Sequence, residues 1–410
     1  MKTFEEKTAE YAALLVKEGL ALQESQVLVI SAQTECAPFV RTVAREAYRQ
    51  GAKEVVCLWN DEILSQMAYA HAPLEVFETV PDWRVESRMH YVRQGACFLS
   101  LCGGDPDLLA RADPQKLSTA NRVFNAAYRE YYANTMANRC RWCVAGVPTR
   151  AWAEKVFGAD EASIQKLWQA IFNTVRISED GSALEAWRAH TCEMARREEK
   201  LNRLQFDRLI YRNARGTNFT VGLPENHVWA GGAEKAADGI TFSANIPTEE
   251  MFTAPHRLRA EGTLVSALPL SYNGVLIDGF TLKFHNGEVV KYSAEVGLEA
   301  LERLLNSCPG MKMLGEVALV PHCSPIAQMG VLFYNTLYDE NASCHFALGA
   351  SYPSCVDRGT ELGEEEQLAL GLNQAEDHVD FMIGTEDLVV EGITKNGETV
   401  VILRNGRFEI

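Results

Sequence analysis

The sequence predicts an α/β N-terminal domain with a mainly parallel sheet, followed by an α+β C-terminal domain rich in hairpins. Three observations carry that expectation. In the first third of the chain and a little beyond it, segments of helical apolar spacing alternate with short apolar runs, the pattern of βαβ units in a parallel sheet. Asn-Gly, the strongest short hairpin signal, occurs at Asn273-Gly274, Asn286-Gly287, Asn396-Gly397 and Asn405-Gly406, and nowhere before residue 270. No Pro- or Ser-rich linker separates the two styles, so the boundary is placed near 205, after Arg196-Arg197-Glu198-Glu199-Lys200, giving domains 1–205 and 206–410.

Taken in order, residues 4–18 carry Phe4, Tyr11, Leu14 and Leu15 at helical spacing, and Gly19 suits the stop. Val27–Ile30 is a short buried strand. Residues 36–49 form a helix with Phe39, Val40, Val43 and Ala47 on one face. Gly51 ends it, and a strand follows over 54–59. The pattern repeats with a strand over 96–101, a turn at Gly103-Gly104-Asp105-Pro106, one helix over 114–137, and a strand over 142–147. Residues 151–205 read as mainly helical and charged. Beyond them, strands at 281–284 and 288–292 flank one Asn-Gly, and strands at 388–394 and 399–403 flank another.

Composition excludes several function classes. The 410 residues suit two domains. There are 39 Lys plus Arg against 55 Asp plus Glu, a formal charge of −16. A nucleic-acid binder needs a basic stripe to neutralise phosphates, and docking on anionic lipid needs the same sign of charge, so neither partner is expected. Eleven cysteines, spread from Cys36 to Cys355 without dense spacing, read as reduced thiols. The N-terminus lacks the apolar run of a signal peptide, and no segment approaches the roughly 20 apolar residues of a membrane span. A cytoplasmic setting is expected. No GxGxxG follows a strand, and there is no phosphate loop, GxSxG elbow or HExxH helix. Cys140-Arg-Trp-Cys143 sits at the entry to a strand and has no second Cys/His pair nearby, which suits buried thiols better than redox or zinc chemistry.

From residue 245 onward, carboxylates and histidines stand in apolar surroundings, where charged groups are uncommon. Asn245-Ile-Pro-Thr-Glu-Glu250 puts paired glutamates after a Pro turn. Leu314-Gly-Glu-Val-Ala-Leu-Val320 sets Glu316 at the head of an apolar strand. Asn335-Thr-Leu-Tyr-Asp-Glu-Asn341 leads to His345, and Asp377-His-Val-Asp380 offers His378 and Asp380. The i, i+2 spacing of His378 and Asp380 puts both on one face of a strand, and His with carboxylate suits a divalent metal. Glu340 and His345 converge only if a turn through 341–343 separates them. His285 and His322 sit beside turns and are expected in solvent; His256 follows Pro255 with no spacing argument. Read singly, Glu316 is also an ordinary strand-end charge and His-x-Asp an ordinary hydrogen-bonded pair, so the residues alone leave a metal site and a polar core both open.

These stretches are also where the sequence resembles the thermophilic-type metalloaminopeptidases, the aminopeptidase T and aminopeptidase S family. The likeness runs through Phe39-Val-Arg-Thr-Val-Ala-Arg-Glu-Ala-Tyr48, Gly104-Asp-Pro-Asp-Leu-Leu109 and Trp142-Cys-Val-Ala-Gly-Val-Pro-Thr-Arg-Ala-Trp152. It is stronger in the second half, through Asn245–Glu250, Leu314–Val320, Asn335–Asn341 and His378-Val-Asp-Phe-Met-Ile-Gly384. The resemblance implies a C-terminal catalytic domain and an exopeptidase that uses two divalent ions (zinc, cobalt or manganese) on peptides with a free N-terminus. It also implies a homodimer. Its metal ligands fall on Glu250, Glu316, Glu340, His345, His378 and Asp380, and its active-site tyrosine on Tyr352. Where the family often has Ser, this chain has Ala375.

Four carboxylates and two imidazoles facing two divalent ions are formally neutral, which avoids an uncompensated buried charge. Glu316 is the candidate bridge between the ions, Tyr352 the candidate donor to the oxyanion, and Glu249 either a group for proton transfer or for holding the substrate's ammonium or an ordinary exposed charge. Two rival readings stand beside this one. A nucleotide- or sugar-binding transferase would bind at the carboxyl ends of the first-domain strands, and a decayed binding protein would have lost a ligand position; none is lost here.

Overall fold

The structure, a computed structural model, describes residues 1–272 and 274–410. It resolves into two compact units, one of residues 1–190 with 233–247 and one of residues 191–232 with 248–410. The division falls inside the helix Ala183–Leu204, upstream of residue 205, and the segment 233–247 belongs with the first unit.

In the first unit, five strands pair in the order Glu54–Asn60, Val27–Gln33, Cys97–Cys102, Trp142–Gly146, Asn245–Ile246, and every neighbouring pair is parallel. Parallel strands need crossovers, and the helices Ala37–Arg49, Asp82–Arg93 and Ser163–Thr174 lie in them, while Phe4–Leu14 precedes the first strand. Thr3 caps the first helix in a capping box with Glu6, and the helix passes into a π turn over Leu15–Gly19. Phe39, Val40, Val43 and Ala47 are the buried stripe of Ala37–Arg49, as the spacing predicts. Phe39 stacks on Tyr11 at 5.2 Å and meets Trp168 edge-on at 5.5 Å. The single helix expected over 114–137 is two, Pro114–Ala127 and Arg129–Met136. Tyr128 interrupts the series with φ −95° and ψ 10°, outside the helical well, while its ring is held in the interior by Phe124 and Tyr131. Cys140 and Cys143 are both buried; burial pushes the Cys140 thiol up to about 11 and Cys143 higher still, so neither is a thiolate near neutral pH.

The second unit is antiparallel. An eight-stranded sheet runs in the order Glu288–Ser293, Thr281–His285, Ala260–Val265, Asn218–Gly222, Phe206–Arg212, Val389–Thr394, Thr399–Arg404, Arg407–Phe408. Asn-Gly makes its hairpins: Asn286 and Gly287 have φ 51° and 86°, both left-handed, and a Cβ on Gly287 would stand 1.9 Å from the Arg257 carbonyl oxygen. Asn405-Gly406 turns the last hairpin in the same way. Of the predicted Asn273-Gly274 turn, Asn273 lies outside the described residues; the strands Leu270–Tyr272 and Val275–Ile277 beside it are paired.

A second sheet of four strands has the order Met251–Thr253, Leu314–Leu319, His345–Gly349, His378–Met382. One face of it packs on the eight-stranded sheet. Phe346 is the hub, with ring centroids 5.1 Å from Tyr211, 5.4 Å from Phe219 and 6.3 Å from Phe381. Each such buried ring contributes about 1.5–3 kcal/mol relative to exposure. With that face apolar, the period of two along each strand sends the alternate residues to the opposite face.

Candidate metal centre

That opposite face collects the candidate ligands. His345 precedes Phe346, and His378 and Asp380 bracket Val379 and precede the buried Phe381. Across the strands, Glu316 pairs with Ala347 and Ala347 with Asp380; Ala318 pairs with His345, and Gly349 with His378. Small residues therefore alternate with ligands across the sheet and leave room above it.

Glu316 reaches this face through an irregularity. Leu314 and Glu316 are two apart and would share a face in a regular strand, yet Leu314 is in the apolar core. The register shifts between them, so Leu314 pairs with Leu348 and Glu316 with Ala347. The residue taking up the shift is Gly315, and a Cβ there would lie 2.2 Å from the Ala350 carbonyl oxygen and 2.5 Å from that of Gly349. Only glycine fits. Glu250 arrives from the other side, immediately before the strand Met251–Thr253, in phase with Phe252 while Met251 enters the core.

The side chains converge closely. Glu316 Oε1 is 3.6 Å from His345 Nε2, and Glu316 Oε2 is 3.3 Å from His378 Nε2. Glu250 Oε2 lies 3.2 Å from His345 Nε2, and Asp380 Oδ1 lies 3.3 Å from His378 Nε2. Two donor groups result, Glu250–Glu316–His345 and Glu316–His378–Asp380, each with ligand atoms within 4.8 Å of one another. Glu316 belongs to both. The other ring nitrogens are spoken for: His345 Nδ1 is 3.0 Å from the Ser343 carbonyl and His378 Nδ1 is 2.7 Å from the Ala350 carbonyl. A carbonyl only accepts, so each Nδ1 carries a proton and donates, which leaves each Nε2 aimed at the carboxylates.

Burial and mutual charge set the titration of the cluster. Burial raises the Glu316 carboxyl, but hydrogen bonds and charge from His345 and His378 overcome it and hold it down at about 2. Burial lowers His378, and Asp380 with Glu316 reverse that and lift it to about 11; His345 is raised well above its ordinary range by Glu250 and Glu316 against the same burial. Without cations, imidazolium protons are what balance these carboxylates. A divalent ion held by these residues would replace protons with a larger charge, and the mixed oxygen and nitrogen donors suit such an ion.

Glu340 stands at the edge of this arrangement. It lies in the 3₁₀ turn Glu340–Ala342, so the turn expected between it and His345 is present, but it joins neither donor group. Burial, then the charges of Glu250 and Asp380, raise its carboxyl well above the usual range, which places it within electrostatic reach. Tyr352 follows the strand His345–Gly349, with its ring 4.9 Å from that of His378 and 5.9 Å from Phe252. Burial and four neighbouring carboxylates push its phenol far above 10, so it is a neutral O–H donor. Glu249 is buried, and its backbone N–H donates to Asn341 Oδ1 at 2.7 Å. His256 packs against Gly371, outside both donor groups. Ala375 packs against the apolar core. Sequence reasoning passed over Gly315, Ala318, Ala347 and Asn341. A glycine directly before an isolated strand carboxylate was the one visible signal, since it marks a bulge.

Residues 4–408 match the family model of the thermophilic metalloproteases, M29. The chain belongs to that family. As an M29 metalloprotease it is a hydrolase of peptide bonds. It is 46 % identical over 410 residues to Aminopeptidase 2 of Geobacillus stearothermophilus, covering 100 % of this chain and 99 % of the relative. It is 39 % identical to Aminopeptidase AmpS of Bacillus subtilis (strain 168), covering both chains in full. A solved structure of wild-type AmpT from Thermus thermophilus superposes with a TM-score of 0.93 at 35 % identity, again over the full length of both. No helix among the described residues of this M29 chain is long and apolar enough to cross a membrane.

Proposed function

We propose that this M29 metalloaminopeptidase removes N-terminal residues from peptides with two divalent ions, held by Glu250, Glu316 and His345 on one side and by Glu316, His378 and Asp380 on the other. Glu340, which the resemblance adds as a ligand, stands outside both groups and within electrostatic reach of Glu250 and Asp380. The observation that carries this is the orientation of Glu316, whose two carboxylate oxygens face two different imidazoles at 3.6 and 3.3 Å. A carboxylate spread between two donor groups would serve an ion in each. Two such ions would polarise the scissile carbonyl and lower the pKa of a water molecule toward neutrality.

The chain's own residues do the rest. His345 and His378 are locked by the Ser343 and Ala350 carbonyls, so their Nε2 atoms need no reorganisation. The neutral Tyr352 O–H donates to the oxygen on which charge develops as the carbonyl becomes tetrahedral. Glu249 is assigned to proton transfer or to the α-ammonium of the substrate. Zinc, cobalt and manganese all accept this donor set. The reading extends to a homodimer, through the resemblance, and to a cytoplasmic setting, which suits a chain whose described cysteines form no disulfide.

The test is hydrolysis of an unblocked aminoacyl p-nitroanilide beside its N-acetylated counterpart. Cleavage of the unblocked compound alone, abolished by a chelator and restored by a divalent ion, is the expected result. Activity that survives thorough chelation contradicts it.

A further inference from the structure

Asn341 is fully buried, and three chain segments meet on it. Its Oδ1 accepts the backbone N–H of Glu249 at 2.7 Å. Its Nδ2 donates to the Leu337 carbonyl at 2.9 Å and faces Glu340 Oε1 at 3.4 Å. Its own backbone carbonyl accepts the Ser324 hydroxyl at 3.3 Å. Leu337 lies in the helix Thr336–Asp339, which runs straight into the turn that presents Glu340. A carbonyl at the end of a short helix has no partner within it, and the Asn341 amide supplies one while its oxygen holds the chain one residue before Glu250.

We infer that Asn341 is a positioning residue: one rigid amide sets the Glu249–Glu250 segment against Glu340, and through them sets the cation affinity of the Glu250–Glu316–His345 group. The inference rests on the two-metal reading. The chemistry demands an amide. Asp keeps the shape and the acceptor but loses both N–H donors, leaves the Leu337 carbonyl unpaired, and sets a new negative charge beside the Glu340 carboxylate. Ser is smaller, and its hydroxyl can still bond a carbonyl of the preceding turn, but it is too short to serve the Glu249 N–H as well. Ligand-orienting partners of this kind typically account for about 10–100-fold in metal affinity.

The experiment titrates metal-free protein with Zn²⁺ against a competing chelator, by calorimetry, for the unsubstituted chain, Asn341→Asp, Asn341→Ser and Ser324→Ala. Circular dichroism and the Tm of the metal-free form report the fold. One of the two binding steps is expected to weaken about 10–100-fold in Asn341→Asp, and in the same direction in Asn341→Ser, while the other moves by less than about threefold. Ser324→Ala is the control that keeps the Asn341 amide: it removes the bond to the Asn341 backbone carbonyl and leaves the side-chain Oδ1 and Nδ2 in place. It also removes the cap that the Ser324 hydroxyl gives the Ala327 N–H, and is expected to lower Tm without weakening Zn²⁺ binding. Folded Asn341 variants with unchanged Zn²⁺ affinity overturn the inference. So does failure of both Asn341 variants to fold, which makes the residue a structural cap, and so does equal weakening in Ser324→Ala. An unsubstituted chain that takes up no Zn²⁺ is a different outcome, because it overturns the two-metal reading itself.

Discussion

Glu316→Gln is expected to fold and to lose turnover by on the order of 10³-fold or more. The substitution keeps the side-chain volume at a position that is almost wholly buried, so packing on Ala347 and the Gly315 irregularity are undisturbed. What changes is the donor chemistry. A Gln side chain offers one carbonyl oxygen where Glu316 offers two carboxylate oxygens, and it sets an N–H₂ against one of the two Nε2 atoms now 3.6 and 3.3 Å away. Both donor groups lose part of the same ligand. A bound cation supplies several kcal/mol of charge stabilisation in the transition state, and at about 1.36 kcal/mol per tenfold that loss corresponds to the stated rate. The measurement is kcat on an unblocked aminoacyl p-nitroanilide at saturating metal, with Tm as the fold control. A folded variant turning over near the unsubstituted rate refutes the bridging assignment.

Tyr352→Phe is expected to lower kcat by about 10²–10³-fold, the range for removing one oxyanion donor, with KM within a few-fold of its starting value. The ring stays. Its contacts with His378 at 4.9 Å and Phe252 at 5.9 Å, and its place against Ala254, Cys355, Val356 and Leu372, do not need the hydroxyl. Only the O–H is lost, and burial among carboxylates keeps that O–H protonated in the ordinary working range. An interaction made only in the transition state lowers kcat and kcat/KM together. A rise in KM with unchanged kcat identifies Tyr352 as a substrate-binding group and contradicts the oxyanion role.

Much of the scaffold was legible because it follows from period and turn chemistry. The stripe Phe39, Val40, Val43, Ala47 specifies its helix, and Asn286-Gly287 specifies its hairpin. His378 and Asp380 were legible as a pair, because i, i+2 on a strand has one geometric meaning. Glu316 shows the limit. Regular alternation would put it on the same face as Leu314; only the shift at Gly315, forced by the Gly349 and Ala350 carbonyls from elsewhere in the chain, turns it into the cluster. The return of Asn245–Ile246 to the parallel sheet is a long-range effect of the same kind. Asn341 looked like any polar residue in a turn, since Glu249, whose N–H its Oδ1 accepts, lies 92 residues away in the sequence.

The proposed pair of divalent ions joined by Glu316 is most directly tested by metal content together with anomalous-scattering maps of crystals grown with the activating metal. The expected result is two ions per chain, about 3.5–4 Å apart. One peak lies between Glu250 and His345, the other between His378 and Asp380, with Glu316 touching both. A single peak, or two peaks with Glu316 on only one of them, contradicts the bridged centre.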